Sequence, residues 1–384
     1  MKFPFIRPRR LRAAEAKAMP ELKALAQIFA GGDGSGDALP RSYAGLAREG
    51  YMKNPVAHRA VRLVSEAAAS VPWLAYRDGG EDAGHPALAL FGQPNARQAG
   101  GEFFEALYGQ LIVSGNAYLL PVTAGNRLME LHLLRPDRVR MKPGTDGWPE
   151  AFDYRAGGRT RRYPATGPEA VLQLKLFHPL DDHLGFPPLA AAGAALDLSN
   201  SASRWNRALI DNSARPSGAL VYQPKEGGNL SPDQFERLKA ELADGYSGPA
   251  RAGRPMLLEG GLDWKAMGLS PREMDFMEAR NGAARDIALA LGVPPMLLGL
   301  PGDNTYANYA EANRAFWRLT VLPLITRTAA ALSGWLSVIY GETLTLGHDL
   351  DQVPGLALER DALWARVGAA AFLTDAEKRE AVGY

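Results

Sequence analysis

Two histidines and two aspartates fall within six positions of this chain, at His178-Pro-Leu-Asp181-Asp182-His183. Imidazole and carboxylate are donors that divalent cations accept, so the cluster could ligate a metal. Its spacing matches no helical zinc motif such as H-E-x-x-H, and no distant third ligand stands out. The plainer reading is a polar strand-to-helix loop, with Asp181 or Asp182 accepting from backbone donors. A metal-dependent hydrolase using His178, Asp181, Asp182 and His183 is the alternative reading.

Other chemistry is hard to find. There is no G-x-x-x-x-G-K-[ST] loop for ATP, and no G-x-S-x-G or S-x-x-K nucleophile. Gly31-Gly-Asp-Gly-Ser-Gly-Asp reads as a linker, because no strand precedes it and no helix follows that could face a phosphate. Asp33, Ser35 and Asp37 start like a calcium loop, but Ala38 and Ala44 stand where glycine and glutamate are required. Arg159, Arg161 and Arg162 read as a solvated hairpin. With no cysteine, disulfides, thiolate metal sites and thiol nucleophiles are excluded, which fits a reducing cytoplasm. No cofactor, metal or catalytic residue is predicted.

The bulk numbers set limits on partners. A net charge of +1 provides no global basic field, so any DNA contact must be local or geometric. Hydrophobic content of 46% and charged content of 22% are ordinary for a folded soluble chain. The opening MKFPFIRPRRLR is basic without a following apolar core, which predicts no signal peptide. Arg318 and Arg327 interrupt the apolar run at 316–340, so no membrane span is expected.

The elements around the cluster read as α+β. A basic helical pattern at 1–30 precedes the linker. The globular part opens with a helix after Asn54-Pro55 whose apolar face ends before Pro72. His85-Pro86 to Pro94-Asn95 reads as a loop, and a helix over 101–113 presents Phe103, Phe104, Leu107 and Leu111. Ser114-Gly-Asn then turns into a strand at 117–122, and short strands are expected at 130–134, 138–142, 152–154 and 171–177. An alanine-rich helix at 187–212 follows, its small residues permitting close helix neighbours. Then comes an insert with a strand at 218–222, a helix opening on the capping box Ser231-Pro-Asp-Gln, and strands near 255–259 and 262–267.

The chain is organised around residues 275–323. Phe276, Ala279, Ala283, Ile287 and Leu291 recur at helical spacing, Gly292 suits the left-handed residue past the end, and Pro294-Pro295 forbids continuation. A polar loop without lysine or arginine follows, carrying Gly302, Asp303, Asn304, Thr305, Tyr306 and Asn308. A long helix is expected from a cap at Asn308 with Glu311 to about Tyr340, kinked near Val321 by Pro323. The tail ends on a second capping box, Thr374-Asp-Ala-Glu.

These pieces together resemble the portal proteins of Hong Kong 97-type tailed bacteriophages, a family that includes portals of gene transfer agents. The resemblance rests on 54–72, His85-Pro, Pro94-Asn95, Ser114-Gly-Asn-Ala-Tyr and Leu134-Arg-Pro-Asp-Arg-Val. It continues through Gly185-Phe-Pro-Pro-Leu, Leu291-Gly-Val-Pro-Pro-Met-Leu-Leu-Gly, 308–323 and Leu373-Thr-Asp-Ala-Glu-Lys-Arg. It implies the portal fold, a non-enzymatic subunit of a homo-oligomeric ring, usually of twelve, at one capsid vertex. The implied parts are an N-terminal arm and linker (1–45), an α+β wing (46–186) and a stem helix (187–214). A β-α-β-β clip (215–270), a second stem helix (271–298) and a tunnel loop (299–308) follow. A long kinked wing helix (309–345) and a short crown (346–384) complete the chain. Implied partners are the major capsid protein, the terminase large subunit, a head-tail adaptor and double-stranded DNA passing non-specifically. The implied location is the virion, assembled in the bacterial host cytoplasm. Asp233, Glu236, Arg237, Lys239 and Glu241 are the expected clip docking residues.

Overall fold

The computed structural model describes residues 42–125, 127–211, 218–222, 231–237, 262–266, 276–301 and 306–383. The helical pattern expected at 1–30 and the strand at 255–259 lie outside these residues.

α1 (Pro55–Ala69) starts where Asn54 Oδ1 accepts from the amides of Val56 and Ala57, with Pro55 at a position that has no amide to lose. Buried Asn54 also donates through Nδ2 to Ser199 Oγ and Asn200 Oδ1, each at 3.1 Å. One cap therefore both starts this helix and fastens it to the alanine-rich helix far along the chain.

β1 (Trp73–Arg77) and β2 (Gly80–Glu81) come next. The loop expected at His85 to Pro94 is instead mostly helix, α2 (Pro86–Gly92). His85 Nδ1 accepts from the Ala87 amide, and Pro86 takes the first helical position. With Nδ1 accepting, the proton lies on Nε2, which donates to Glu342 Oε1 at 2.8 Å. α3 (Gly100–Ser114) buries Phe103, Phe104, Leu107 and Leu111 against α1.

Gly115, at φ 75°, turns the chain into β3 (Asn116–Ala124), which pairs with β4 (Arg127–Leu134). β5 (Val139–Pro143), β6 (Pro149–Ala156) and β7 (Arg159–Pro164) form a separate antiparallel meander. Arg162 there pairs with Asp153 at 2.7 Å, as a solvated hairpin should. β8 (Leu172–Lys175) returns to pair with the other edge of β3. Tyr118, Leu134, Phe152 and Val171 form a small second core.

α4 (Gly193–Asp211) leads to β9 (Gly218–Tyr222), which pairs antiparallel with β10 (Leu262–Ala266) in the register Trp264 to Leu220. α5 (Phe276–Ala290) comes back alongside α4. The expected small-residue faces are used here, inside one subunit: Ser199 and Ala202 of α4, and Ala283, Ala284 and Ala288 of α5, are buried.

α6 (Tyr306–Phe316) begins two residues before the expected cap, so Asn308 lies in its first turn. Nothing at Tyr306-Ala307 opposes helix, being neither glycine nor proline. The kink expected from Pro323 takes the form of a π turn at Trp317–Val321, followed directly by α7 (Leu322–Tyr340). The Leu322 amide reaches the Trp317 carbonyl, five residues back. The widened turn makes room before a residue that has no amide and whose ring crowds the preceding carbonyl.

The 33 residues Asn308–Tyr340 of this continuous helix are long and apolar enough to cross a membrane by length and composition alone, despite their arginines. Its apolar side is a core face. Ile325, Leu332 and Leu336 are buried, and Trp335 Nε1 donates to the Ala170 carbonyl at 2.9 Å. β11 (Leu344–His348) then pairs antiparallel with β1, placing Leu346 opposite Ala75. α8 (Ala357–Ala369) and α9 (Asp375–Val382) end the chain, α9 with the expected Thr374–Glu377 capping box.

Candidate functional site

The polar loop is approached from two rigid sides. α5 ends on Gly292 at φ 65°, as its position requires, and Pro295–Leu298 makes one 3₁₀ turn before Gly299 at φ 70°. Arg285 Nη2 donates to the Pro301 carbonyl at 2.8 Å, fixing the last residue before the loop to the helix preceding it. Thr320 Oγ1, within the π turn, donates to the Gly292 carbonyl at 2.6 Å. The two helices flanking the loop are therefore joined at their corner.

Gly302, Asp303, Asn304 and Thr305 lie outside the described residues. Tyr306 opens α6, with its side chain outside the description, and Asn308 is exposed within the first turn. The arginines near this corner are engaged. Arg314 pairs with Glu311 at 3.1 Å and Glu359 at 3.3 Å, and Arg318 with Glu359 at 2.8 Å.

In the insert, Ser231 Oγ accepts from the Gln234 amide while Gln234 Oε1 accepts from the Ser231 amide, the reciprocal cap read from the sequence. Asp233, Glu236 and Arg237 are exposed on the helical turn that follows. Lys239 and Glu241 lie outside the described residues.

The histidine-aspartate cluster is a loop. Asp181 Oδ1 accepts from the amides of His183 at 2.8 Å and Leu184 at 2.9 Å. Those two bonds, the Leu184 amide foremost, hold its carboxyl below the ordinary aspartate value. His178 Nδ1 accepts from the Leu180 amide at 3.1 Å, Gln173 Nε2 donates to the His183 carbonyl at 2.8 Å, and Lys175 Nζ donates to the Asp182 carbonyl. Among the described residues no group of three or more His, Cys, Asp or Glu side chains is placed to hold a metal. His178 and Asp181 hold the turn through their side chains, and Asp182 and His183 through their carbonyls.

Sequence reasoning missed Asn116, which anchors that loop from behind. Its Oδ1 accepts from the Gly185 amide at 2.9 Å, and its Nδ2 donates to the Ser114 and Gly185 carbonyls. A Cβ on Gly185 would lie 2.0 Å from the Gly115 carbonyl oxygen, so both glycines are required by the close approach. The Ser114-Gly-Asn turn was the available signal, but its partner 69 residues on was not visible.

The profile of the family described as phage portal protein matches residues 55–383. The chain is 52% identical to a subunit in the neck of a native gene transfer agent particle computed with C12 symmetry, covering 94% of this chain and 99% of that one, with a TM-score of 0.71. It is 27% identical over 321 residues to the probable portal protein of Streptomyces phage phiC31, covering 79% of this chain and 69% of the relative. A Hong Kong 97-family portal protein from Corynebacterium diphtheriae shares the fold at TM-score 0.60 and 18% identity, over 83% of this chain and 99% of that one. The chain belongs to the phage portal protein family, whose members are structural proteins rather than enzymes.

Proposed function

We propose that twelve copies of this chain close into a ring at one vertex of a virion and that double-stranded DNA passes along its axis. The observation carrying this reading is the 52% identity, over nearly the whole chain, to a subunit of a particle neck computed with C12 symmetry. On this reading residues 299–308 face the bore, 187–214 and 271–298 form the stem, and 215–270 form the clip. The wing meets the major capsid protein. The clip, through Asp233, Glu236, Arg237, Lys239 and Glu241, receives the terminase large subunit and later the head-tail adaptor, during assembly in the host cytoplasm.

The charge pattern supports passage over capture. Each phosphate held by a cation tightens salt-dependent binding and would slow moving DNA. The chain carries a net charge of only +1, the loop has no Lys or Arg, and Arg285, Arg314 and Arg318 are engaged by groups of the protein. Deleting residues 301–305 tests the role of the loop. Rings should still form, while packaged DNA per particle, measured by nuclease protection, should fall. Loss of the ring would instead make the loop structural, and unchanged packaging would remove it from the DNA path.

A further inference from the structure

Between the end of α5 and the π turn lies an open apolar groove of about 540 Å³. Val293, Pro294 and Phe316 line it, and Leu289 and Leu319 border it at 79% and 77% exposure. Its two charged lining residues, Arg285 and Asp286, are of opposite sign, so the groove selects an apolar partner over an ionic one.

A second apolar feature protrudes from the chain. In the loop after β8, Phe177 and Leu180 are 79% and 91% exposed. Looseness does not account for this exposure. Asp181, His178, Gln173 and Lys175 bond the loop backbone, and Asn116 bonds its base at Gly185. Two apolar side chains are thereby held in water at fixed positions, which is unfavourable in an isolated subunit. A preordered loop loses little entropy when it docks.

A ring closed by rotation joins unlike surfaces, so every copy must carry both halves of one contact. This chain carries a rigid apolar knob and an open apolar groove. We propose that Phe177 and Leu180 of one copy seat between Leu289 and Leu319 of the next. The inference rests on the ring reading above and assigns the residues that close it.

The absence of native cysteine makes the test clean. The full chain carrying Leu180→Cys with Leu289→Cys is assembled, treated with a thiol-reactive bismaleimide and run on a denaturing gel. A ladder of multimers is expected in the double variant, with each single variant remaining at subunit mass. Rings visible on grids without a ladder would overturn the pairing while leaving the ring reading intact. Absence of rings from the unsubstituted protein would remove both. Crosslinking of either cysteine only to a different protein would also overturn the pairing. Separately, Leu180→Asp should reduce ring yield about tenfold or more, as loss of a buried interface anchor does, with the circular dichroism melt of the subunit unchanged. Undiminished assembly would contradict the proposal.

Discussion

Thr320 Oγ1 donates to the Gly292 carbonyl at 2.6 Å, across the corner where α5 ends and the long helix passes. Gly292 is left-handed, and a Cβ there would lie 2.6 Å from that same Thr320 oxygen. Gly292→Ala therefore adds a clash to a conformation that L-residues avoid, and should cost about 1–3 kcal/mol in chemical denaturation. Thr320→Val removes only the hydrogen bond and should cost about 0.5–1.5 kcal/mol. Because both act on one contact, the double variant should cost less than the sum; strict additivity would show that the corner is not coupled.

Gly185 and Gly115 approach each other too closely for a side chain at either position. Gly185→Ala should destabilise by about 1–3 kcal/mol, through backbone displacement in a packed site. Asn116→Ala leaves the Gly185 amide without its acceptor and should cost about 1–3 kcal/mol. Both values come from urea midpoints at unchanged m. A neutral Asn116→Ala would mean that the loop is held without it.

Asp181 gives the loop a pH dependence of definite sign. Its folded pKa lies below the ordinary 3.8, lowered first by the Leu184 and His183 amides and then, more weakly, by the charges of His178 and His183. Stability from a depressed carboxylate is present above the ordinary value and lost as pH falls through the folded one. The two hydrogen bonds that Asp181 accepts, read as exchange protection of the His183 and Leu184 amides, should thus persist down to about pH 4 and weaken only below it. Asp181→Asn, which keeps an accepting oxygen, should abolish that titration yet preserve the turn, whereas Asp181→Ala should unprotect both amides to hydrogen exchange. Retained protection in the alanine variant would contradict this.

Gly355 lies against buried Trp317, and a Cβ there would fall 2.0 Å from Trp317 Cδ1. This contact, with Arg314 and Arg318 on Glu359, fastens α8 to the π turn. Gly355→Ala should cost about 1–3 kcal/mol by overpacking and should speed proteolysis of 357–383 selectively. Uniform proteolysis along the chain would mean the damage is global.

Local chemistry was readable from the sequence. The Ser231 and Thr374 caps, the Gly292 stop and the apolar stripes of α1, α3 and α5 follow from spacing over a few residues. Pairings across long separations were not. β1 joins β11 more than 260 residues on, and neither short segment announces its partner. The π turn answers to crowding around Pro323 as well as to packing of Trp317 against Gly355, and only the first shows in the sequence. His85-Pro86 to Pro94-Asn95 reads as loop in the sequence, but the His-Pro pair caps a helix when the imidazole accepts from the amide two residues on. At the candidate site, the loop between 301 and 306 could be located from its flanks, whereas the links holding those flanks, Arg285 to Pro301 and Thr320 to Gly292, cross between segments.

The central claim is that copies of this subunit surround an axial bore. Electron-microscope class averages of the purified full-length protein, with particle mass from light scattering, test it in one experiment. The account predicts annular particles with a central hole and the mass of twelve subunits. A solid particle of single-subunit mass would contradict it.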